Sequence, residues 1–326
     1  MTEKTSERIL AYIQKRAQVS GKEIVDHLDS ITDRAVRKQL KALLEQGKLG
    51  KVGVPPRVYY FLTKPKEKVS GTEIDRVSRR FIDDRYIFIS PSGDFVPGWR
   101  GFQRWCEKTN QEPAKTAKEY VATQKRYDKF RKAGVIDGIQ KLKLCFDKVF
   151  LDRLLYLDFY SIERFGKTKL GQMLLYAKQS QDRALIRAVV DEVRPGLERL
   201  VKKYAVDGVA FIPPTVKREV QFMKELERQL HLPVRIFKIG KIKTAVVVPQ
   251  KTLTKLADRI ENARQTIIVG ERGQYKNILL IDDAVGSGAT LNETAGQIKR
   301  LGLSTGKIIG VSITGSFKGF DVISEV

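Results

Sequence analysis

Residues 277–293 read NILLIDDAVGSGATLNE, and this stretch decides the fold of the second half of the chain. Four apolar residues, Ile278 to Ile281, fit a central strand buried on both faces. Asp282 and Asp283 stand at its carboxyl end, where open α/β sheets place their ligands. A small-residue turn from Ala284 to Ala289 follows, with Gly286 and Gly288. Thr290 and Glu293 have the spacing of a capping box on the next helix. The N–H groups of such a turn and of a helix N-terminus suit a dianionic phosphate, and the Ser287 and Thr290 hydroxyls add donors. Carboxylates bind phosphate poorly but accept hydrogen bonds from sugar hydroxyls. A phosphate cradle beside two acids therefore describes a ribose 5-phosphate. Other phosphate loops fit worse. A P-loop needs a lysine after its last glycine, and none follows Gly288. A dinucleotide fingerprint needs a third glycine where Leu291 stands.

Outward from this stretch, strand alternates with helix. VDGVAFIPP (206–214) reads as a buried strand, KREVQFMKELERQLHL as a helix and PVRIFKI as a strand. VPQKTLTKLADRIENARQTI is polar and basic, TLNETAGQIKRLG is helical, and GKIIGVSITGS is the last clear strand. The alternation predicts a parallel α/β sheet. Upstream, LDRLLYLDFYSIERFGKTKLGQMLLYAKQSQDRALIRAVV reads as mostly helix, interrupted at Gly166 and Gly171.

The chain has 326 residues, 42% of them hydrophobic, enough for two or three domains with buried cores. No apolar run approaches the ~20 residues of a membrane helix. The polar start MTEKTSERIL lacks the apolar core of a signal peptide, so a soluble cytoplasmic protein is expected. Cys106 and Cys145, with His27 and His231, have no zinc-like spacing. A net charge of +23, from 61 basic and 38 acidic residues, is spread along the chain rather than held in a tail. It fits either a polyanionic partner or a merely basic surface.

The first sixty residues hold three short helical patterns and a hairpin. Ile9, Leu10 and Ile13 form an apolar stripe on the first. Ser20 with Glu23 caps the second, and Thr32 caps the third. On the third, Val36, Leu40, Leu43 and Leu44 share one face, while Arg34, Arg37, Lys38 and Lys41 make a basic one. Lys48, Lys51, a Gly-Val-Pro-Pro turn and Arg57 lead into the strand VYYFL. This order resembles a winged helix-turn-helix domain. The resemblance implies that the third helix enters a major groove while the hairpin lysines and Arg57 reach the backbone. Protein contact or simple solvation of the basic face is the alternative.

Residues 63–75 read as a charged linker. YIFIS and PSGDFVPGWRGFQRW suggest strands and a turn, and EPAKTAKEYVATQKRYDKFRKAG a basic helix ended by Gly134. Trp99, Phe102 and Trp105 read as a small hydrophobic cluster, with base stacking as the alternative. The expected domains are 1–62, a winged helix; 63–145, a linker and an unassigned basic α/β region; and 146–326, a parallel-sheet domain.

ILLIDDAVGSGATL resembles the phosphoribosyl-pyrophosphate motif of type I phosphoribosyltransferases. The resemblance implies that Asp282 and Asp283 bind the ribose 2′ and 3′ hydroxyls. Val285, Gly286, Ser287, Gly288, Ala289 and Thr290 would hold the 5′-phosphate. The common motif has two threonines where this chain has Gly286 and Ser287; backbone donation survives and one hydroxyl is lost. The neighbouring segments are similar to the competence-protein ComF branch of that family. Ile212-Pro213-Pro214-Thr215 with Lys217 and Arg218 matches its proline-containing strand end. Gln250, Leu253, Arg259 and Asn262 match its later block. Arg218-Glu219-Val220-Gln221 departs from the usual Arg-Gly-Phe-Asn-Gln. By this likeness pyrophosphate lies near Pro214, Thr215, Lys217 and Arg218, with Mg²⁺ bridging ligand oxygens. Lys251, Lys255 and Arg259 would close over it as a mobile basic loop, with Lys251 and Arg259 in catalytic roles beside the aspartates. An acceptor base would stack on Phe317 or Phe320, unless these close the hydrophobic packing.

A winged helix joined to such a domain also resembles the purine-operon repressors of some bacteria, which sense phosphoribosyl pyrophosphate. The expected function is a DNA-binding regulator responsive to phosphoribosyl pyrophosphate or a nucleotide. An active phosphoribosyltransferase is the alternative. Expected partners are that ligand, double-stranded DNA and a second copy of the chain, with no membrane.

Overall fold

The computed structural model describes residues 4–53, 56–63, 74–216, 218–242, 248 and 252–316. The chain forms two compact units, Met1–Glu73 with Ser90–Asp94 and Ile74–Ile89 with Phe95–Val326.

In the smaller unit, α1 (Thr5–Arg16), β1 (Gln18–Ser20), α2 (Gly21–His27) and α3 (Asp33–Glu45) precede β2 (Leu49–Val52) and β3 (Tyr59–Leu62). Both expected caps form. The Ser20 hydroxyl accepts from Glu23 N–H while Glu23 accepts from Ser20 N–H, and Thr32 accepts from Ala35 N–H. The sheet is antiparallel with β3 in the middle. Ile9, Ile13, Ile24, Leu28 and Val36 are fully buried and Leu40, Leu43 and Leu49 nearly so. Each such side chain contributes about 1.5–3 kcal/mol of burial free energy. The opposite face of α3 leaves Arg34, Arg37, Lys38 and Lys41 exposed, and Lys48, Lys51 and Arg57 are exposed on the hairpin.

The larger unit opens with α4 (Arg76–Arg85), the hairpin β4 (Ile87–Ile89) and β5 (Phe95–Pro97), then α5 (Gly98–Lys108) and α6 (Pro113–Asp128). Here Trp99 and Phe102 are buried, and Phe102 packs against Trp105, Tyr86 and Tyr120 with ring centroids 5.0–5.7 Å apart. Those aromatics are core, not a base-stacking platform. WRGFQRW, expected in part as strand, is helix α5 because its apolar residues fall on one helical face.

Next come β6 (Arg131–Lys132), β7 (Val135–Asp137), α7 (Ile139–Cys145), β8 (Arg153–Phe159), α8 (Lys169–Ser180), α9 (Arg183–Lys203) and β9 (Gly208–Phe211). The chain continues through α10 (Phe222–Leu230), β10 (Arg235–Ile236), β11 (Ile239–Lys241), α11 (Leu256–Thr266), β12 (Ile267–Val269), β13 (Ile278–Val285), α12 (Ala289–Arg300) and β14 (Ile308–Gly315). The main sheet has seven strands in the order β10-β9-β13-β14-β8-β7-β6. The run from β10 to β8 is parallel, and the β7–β6 hairpin adds an antiparallel edge. The fold class is therefore mixed α/β with a dominant parallel sheet; the helix expected to run to Gly134 stops at Asp128, and Arg131–Lys132 and Val135–Asp137 are strands of that sheet.

Three expectations are corrected. RLLYLDF is a strand, not helix: it is apolar on both faces, a pattern shared by central strands and buried helices, and only pairing with β14 separates them. Gly171 does not interrupt a helix but lies inside α8. A Cβ there would sit 2.2 Å from the Tyr160 carbonyl oxygen, so the helix uses glycine to approach β8 closely. PVRIFKI splits into β10 and β11, which belong to different sheets.

The alternation along β13 sets two layers. Ile278 and Leu280 pack with Leu291, Ala295 and Ile298 of α12, while Leu279 and Ile281 pack with Phe222, Leu226 and Leu230 of α10. The β13–α12–β14 and β9–α10–β10 connections therefore leave opposite faces of the sheet. Adjacent β9 and β13 lead to opposite sides, and the crevice beyond their carboxyl ends is a topological switch point.

Candidate functional site

A cavity of about 200 Å³ lies in that crevice. Ile212 to Val216 after β9 form one wall, and Asp282 to Leu291 the other. Lys178 of α8, Arg218, Lys241 of β11 and Arg259 of α11 also line it. Four basic side chains thus face two acids, a balance that favours an anionic ligand.

β13 runs on to Val285, so Asp282 and Asp283 sit within its last four residues, both partly buried. The Asp283 N–H donates to Asp282 Oδ1 at 2.8 Å. Burial, then the neighbouring Asp283 carboxylate, push the Asp282 carboxyl up to about 7; the Asp283 N–H, Lys178 and Lys241 oppose this. Lys178 Nζ donates to Asp283 Oδ2 at 2.7 Å, with the two side chains only 13% and 17% exposed. Lys241 Nζ donates to Thr215 Oγ1 at 2.7 Å, and burial pushes its ammonium down while Asp282 raises it.

The turn after β13 is tight. Gly288 takes φ +84°, a conformation L residues rarely adopt, and serves as N-cap of α12. The expected Thr290–Glu293 capping box is absent. The helix begins at Ala289, one residue before Thr290, and Glu293 is buried with its carboxylate accepting from Arg264 Nε at 3.1 Å. The Ser287 hydroxyl accepts from Ala289 N–H at 3.3 Å. Among the described residues, the main-chain N–H groups of Gly286, Ser287, Gly288 and Thr290 make no hydrogen bond. Four amide donors are thus left open in the turn and at the start of α12, an arrangement suited to an anion.

Other expected residues fall variously. Pro214, Thr215 and Arg218 line the cavity. Arg218 spends its Nη1 on the Lys178 carbonyl at 2.5 Å, closing the end of α8. Arg259, expected in a mobile loop, is instead in helix α11, 6% exposed, with Nε donating to the Leu253 carbonyl at 2.7 Å. REVQ (218–221), expected as helix, precedes α10, which begins at Phe222. Lys217, Gln250, Lys251, Phe317 and Phe320 lie outside the described residues. Sequence reasoning missed Lys178 and Lys241, since nothing local separates them from the other basic residues.

Among the described residues no group of three or more His, Cys, Asp or Glu side chains is arranged to hold a metal ion. No helix among them is long and apolar enough to cross a membrane. No protein-family model and no curated protein sequence matches the chain. Among solved structures, it is similar to a hypoxanthine phosphoribosyltransferase from Staphylococcus aureus over 40% of this chain and 78% of that one, at 15% sequence identity and a TM-score of 0.24.

Proposed function

We propose that the larger unit binds a phosphorylated ribose, as phosphoribosyl pyrophosphate or a nucleotide, and that the smaller unit is a winged helix that binds duplex DNA under its control. One observation carries the reading of the site: an acid pair and four open main-chain donors share one cavity at the switch point. The amides of Gly286, Ser287, Gly288 and Thr290 take the 5′-phosphate. The acids of Asp282 and Asp283 accept from the ring hydroxyls. Pro214, Thr215, Lys241 and Arg218 border the side where a diphosphate extends. Mg²⁺ would arrive on the diphosphate oxygens and supply charge neutralisation there.

A ligand that prefers one arrangement of the protein shifts DNA affinity by its differential affinity for the two arrangements. The basic face of α3 supports the DNA reading. Its ion pairs, Arg37–Asp33 at 2.7 Å and Lys41–Glu45 at 3.9 Å, are exposed i,i+4 contacts. Such pairs are worth about 0.3–0.5 kcal/mol and yield readily to phosphates. The triple variant Arg37→Glu/Lys38→Glu/Lys41→Glu is expected to weaken duplex binding. It should also flatten the slope of log K against log salt by about 0.9 for each phosphate no longer neutralised. Mobility-shift titration at several salt concentrations measures both. Unchanged affinity removes the DNA reading.

A second reading, phosphoribosyl transfer, is favoured by Lys241 and Thr215 facing the acid pair across the same cavity. An acceptor nitrogen would form its bond to C1′ as the bond from C1′ to pyrophosphate oxygen breaks, the electron pair leaving with pyrophosphate and the nitrogen's proton passing to water. Arg259, and Lys251 outside the described residues, would then assist departure of the leaving group. Base-dependent pyrophosphate release selects this reading. A ligand-dependent shift of duplex DNA without release selects the regulator.

A further inference from the structure

The ion pair between Lys178 and Asp283 has donors and acceptors to spare, and both residues line the cavity. Lys178 carries three N–H donors, and the described residues take one of them, through Asp283 Oδ2. Asp283 Oδ1 has no protein donor among them. Both side chains line the cavity and are mostly buried. A pair desolvated to this degree is favourable only when its remaining hydrogens and lone pairs are also satisfied.

The pair is also held in place. Arg218 Nη1 closes the Lys178 carbonyl, and Val220 N–H donates to Gln181 Oε1 at 2.8 Å, anchoring the end of α8 against the 218–220 segment. From that fixed end Lys178 reaches across to β13.

A ligand group that satisfies an ammonium and a carboxylate side by side must both donate and accept. A second carboxylate or phosphate is repelled by Asp283, and an amine is repelled by Lys178. A hydroxyl satisfies both. Resting on the sugar-phosphate reading above, we propose that Lys178 is a specificity-determining residue: with Asp283 it grips one ring hydroxyl from both sides, so that the site selects ribose over the matching deoxy sugar. A site with a buried polar pair rejects an analogue lacking the hydroxyl because the pair is left unsatisfied.

The test is competition titration of ribose 5-phosphate, 2-deoxyribose 5-phosphate, 3-deoxyribose 5-phosphate and inorganic phosphate against wild type, Lys178→Met and Lys178→Arg, each checked for folding by circular dichroism. In wild type, ribose 5-phosphate is expected to bind about 10–100-fold tighter than one of the deoxy sugars, the size of a hydrogen bond to charged groups. Lys178→Met is expected to cut that ratio to about threefold or less, while the lost positive charge weakens inorganic phosphate and all three sugars alike, and Lys178→Arg to keep part of it. A ratio in Lys178→Met equal to the wild-type ratio overturns the role of Lys178 and leaves the sugar-phosphate site standing. Ribose 5-phosphate binding without selectivity against either deoxy sugar overturns it as well. Absence of ribose 5-phosphate binding in wild type overturns the reading of the site itself, and this proposal with it. If Lys178→Met does not fold, Lys178→Leu takes its place and is read by the same ratio.

Discussion

Gly288→Ala will lower both stability and phosphate affinity, and by more than its size suggests. Holding an L residue at φ +84° costs about 1–2 kcal/mol. The added Cβ would also meet Leu142 Cδ2 at 2.6 Å, and Leu142 is fully buried with little room to move. Overpacking of this kind costs about 1–3 kcal/mol. The chain relieves both by shifting the turn, which misaims the open amides of Gly286, Ser287 and Thr290. Ribose 5-phosphate affinity is expected to fall about 10–100-fold, the loss of one charge-assisted hydrogen bond. Thermal melts and calorimetry measure the two effects. A double-mutant cycle with Leu142→Ala separates them, because the steric part appears as coupling of about 1 kcal/mol and the backbone strain does not. Wild-type stability and affinity in Gly288→Ala would show that the turn does not depend on its left-handed residue.

Asp282→Asn moves stability and binding in opposite directions. The Asp282 carboxyl, at about 7 in the folded chain, lies above its ordinary value of 3.8. Folding therefore favours the neutral form. The wild type has its full stability with respect to this group below about pH 4 and loses it as pH rises to about 7. Asparagine is neutral throughout. The variant should match wild type near pH 4 and exceed it at pH 8, by on the order of 2–4 kcal/mol for a shift of this size. Ribose 5-phosphate affinity should fall about 10–100-fold, since an amide oxygen accepts more weakly than a carboxylate. Wild-type affinity is expected to rise between about pH 5.5 and 8 as Asp282 ionises, and in the variant only the part of that rise due to ionisation of the ligand's phosphate should remain. Stability curves that stay parallel across that range would mean that Asp282 is not held neutral by its surroundings.

How far the sequence is legible depends on whether a local pattern has one solution. Ile278 to Ile281 followed by two aspartates admit a buried strand and little else, and the structure has that strand inside its sheet, between β9 and β14. Arg153 to Phe159 admit two readings, because LLYLDF shows neither period clearly, and its partner β14 lies some 150 residues on. The capping box fails for a related reason. Thr290 and Glu293 have the right spacing, but Gly288 turns the chain so that α12 starts early and Glu293 faces Arg264 rather than the helix start. Lys178 and Lys241 are beyond local reading altogether. Their roles arise from α8 and β11 reaching the crevice, and a lysine among 61 basic residues carries no mark of where its helix or strand will end.

The most direct test is titration calorimetry of phosphoribosyl pyrophosphate with Mg²⁺ into wild type and into Asp282→Asn/Asp283→Asn. Saturable binding at one site per chain, displaced by ribose 5-phosphate and weakened about 100-fold or more in the double variant, is the predicted result, two charge-assisted hydrogen bonds being lost. No saturable binding in wild type, or equal affinity in both proteins, would contradict the account.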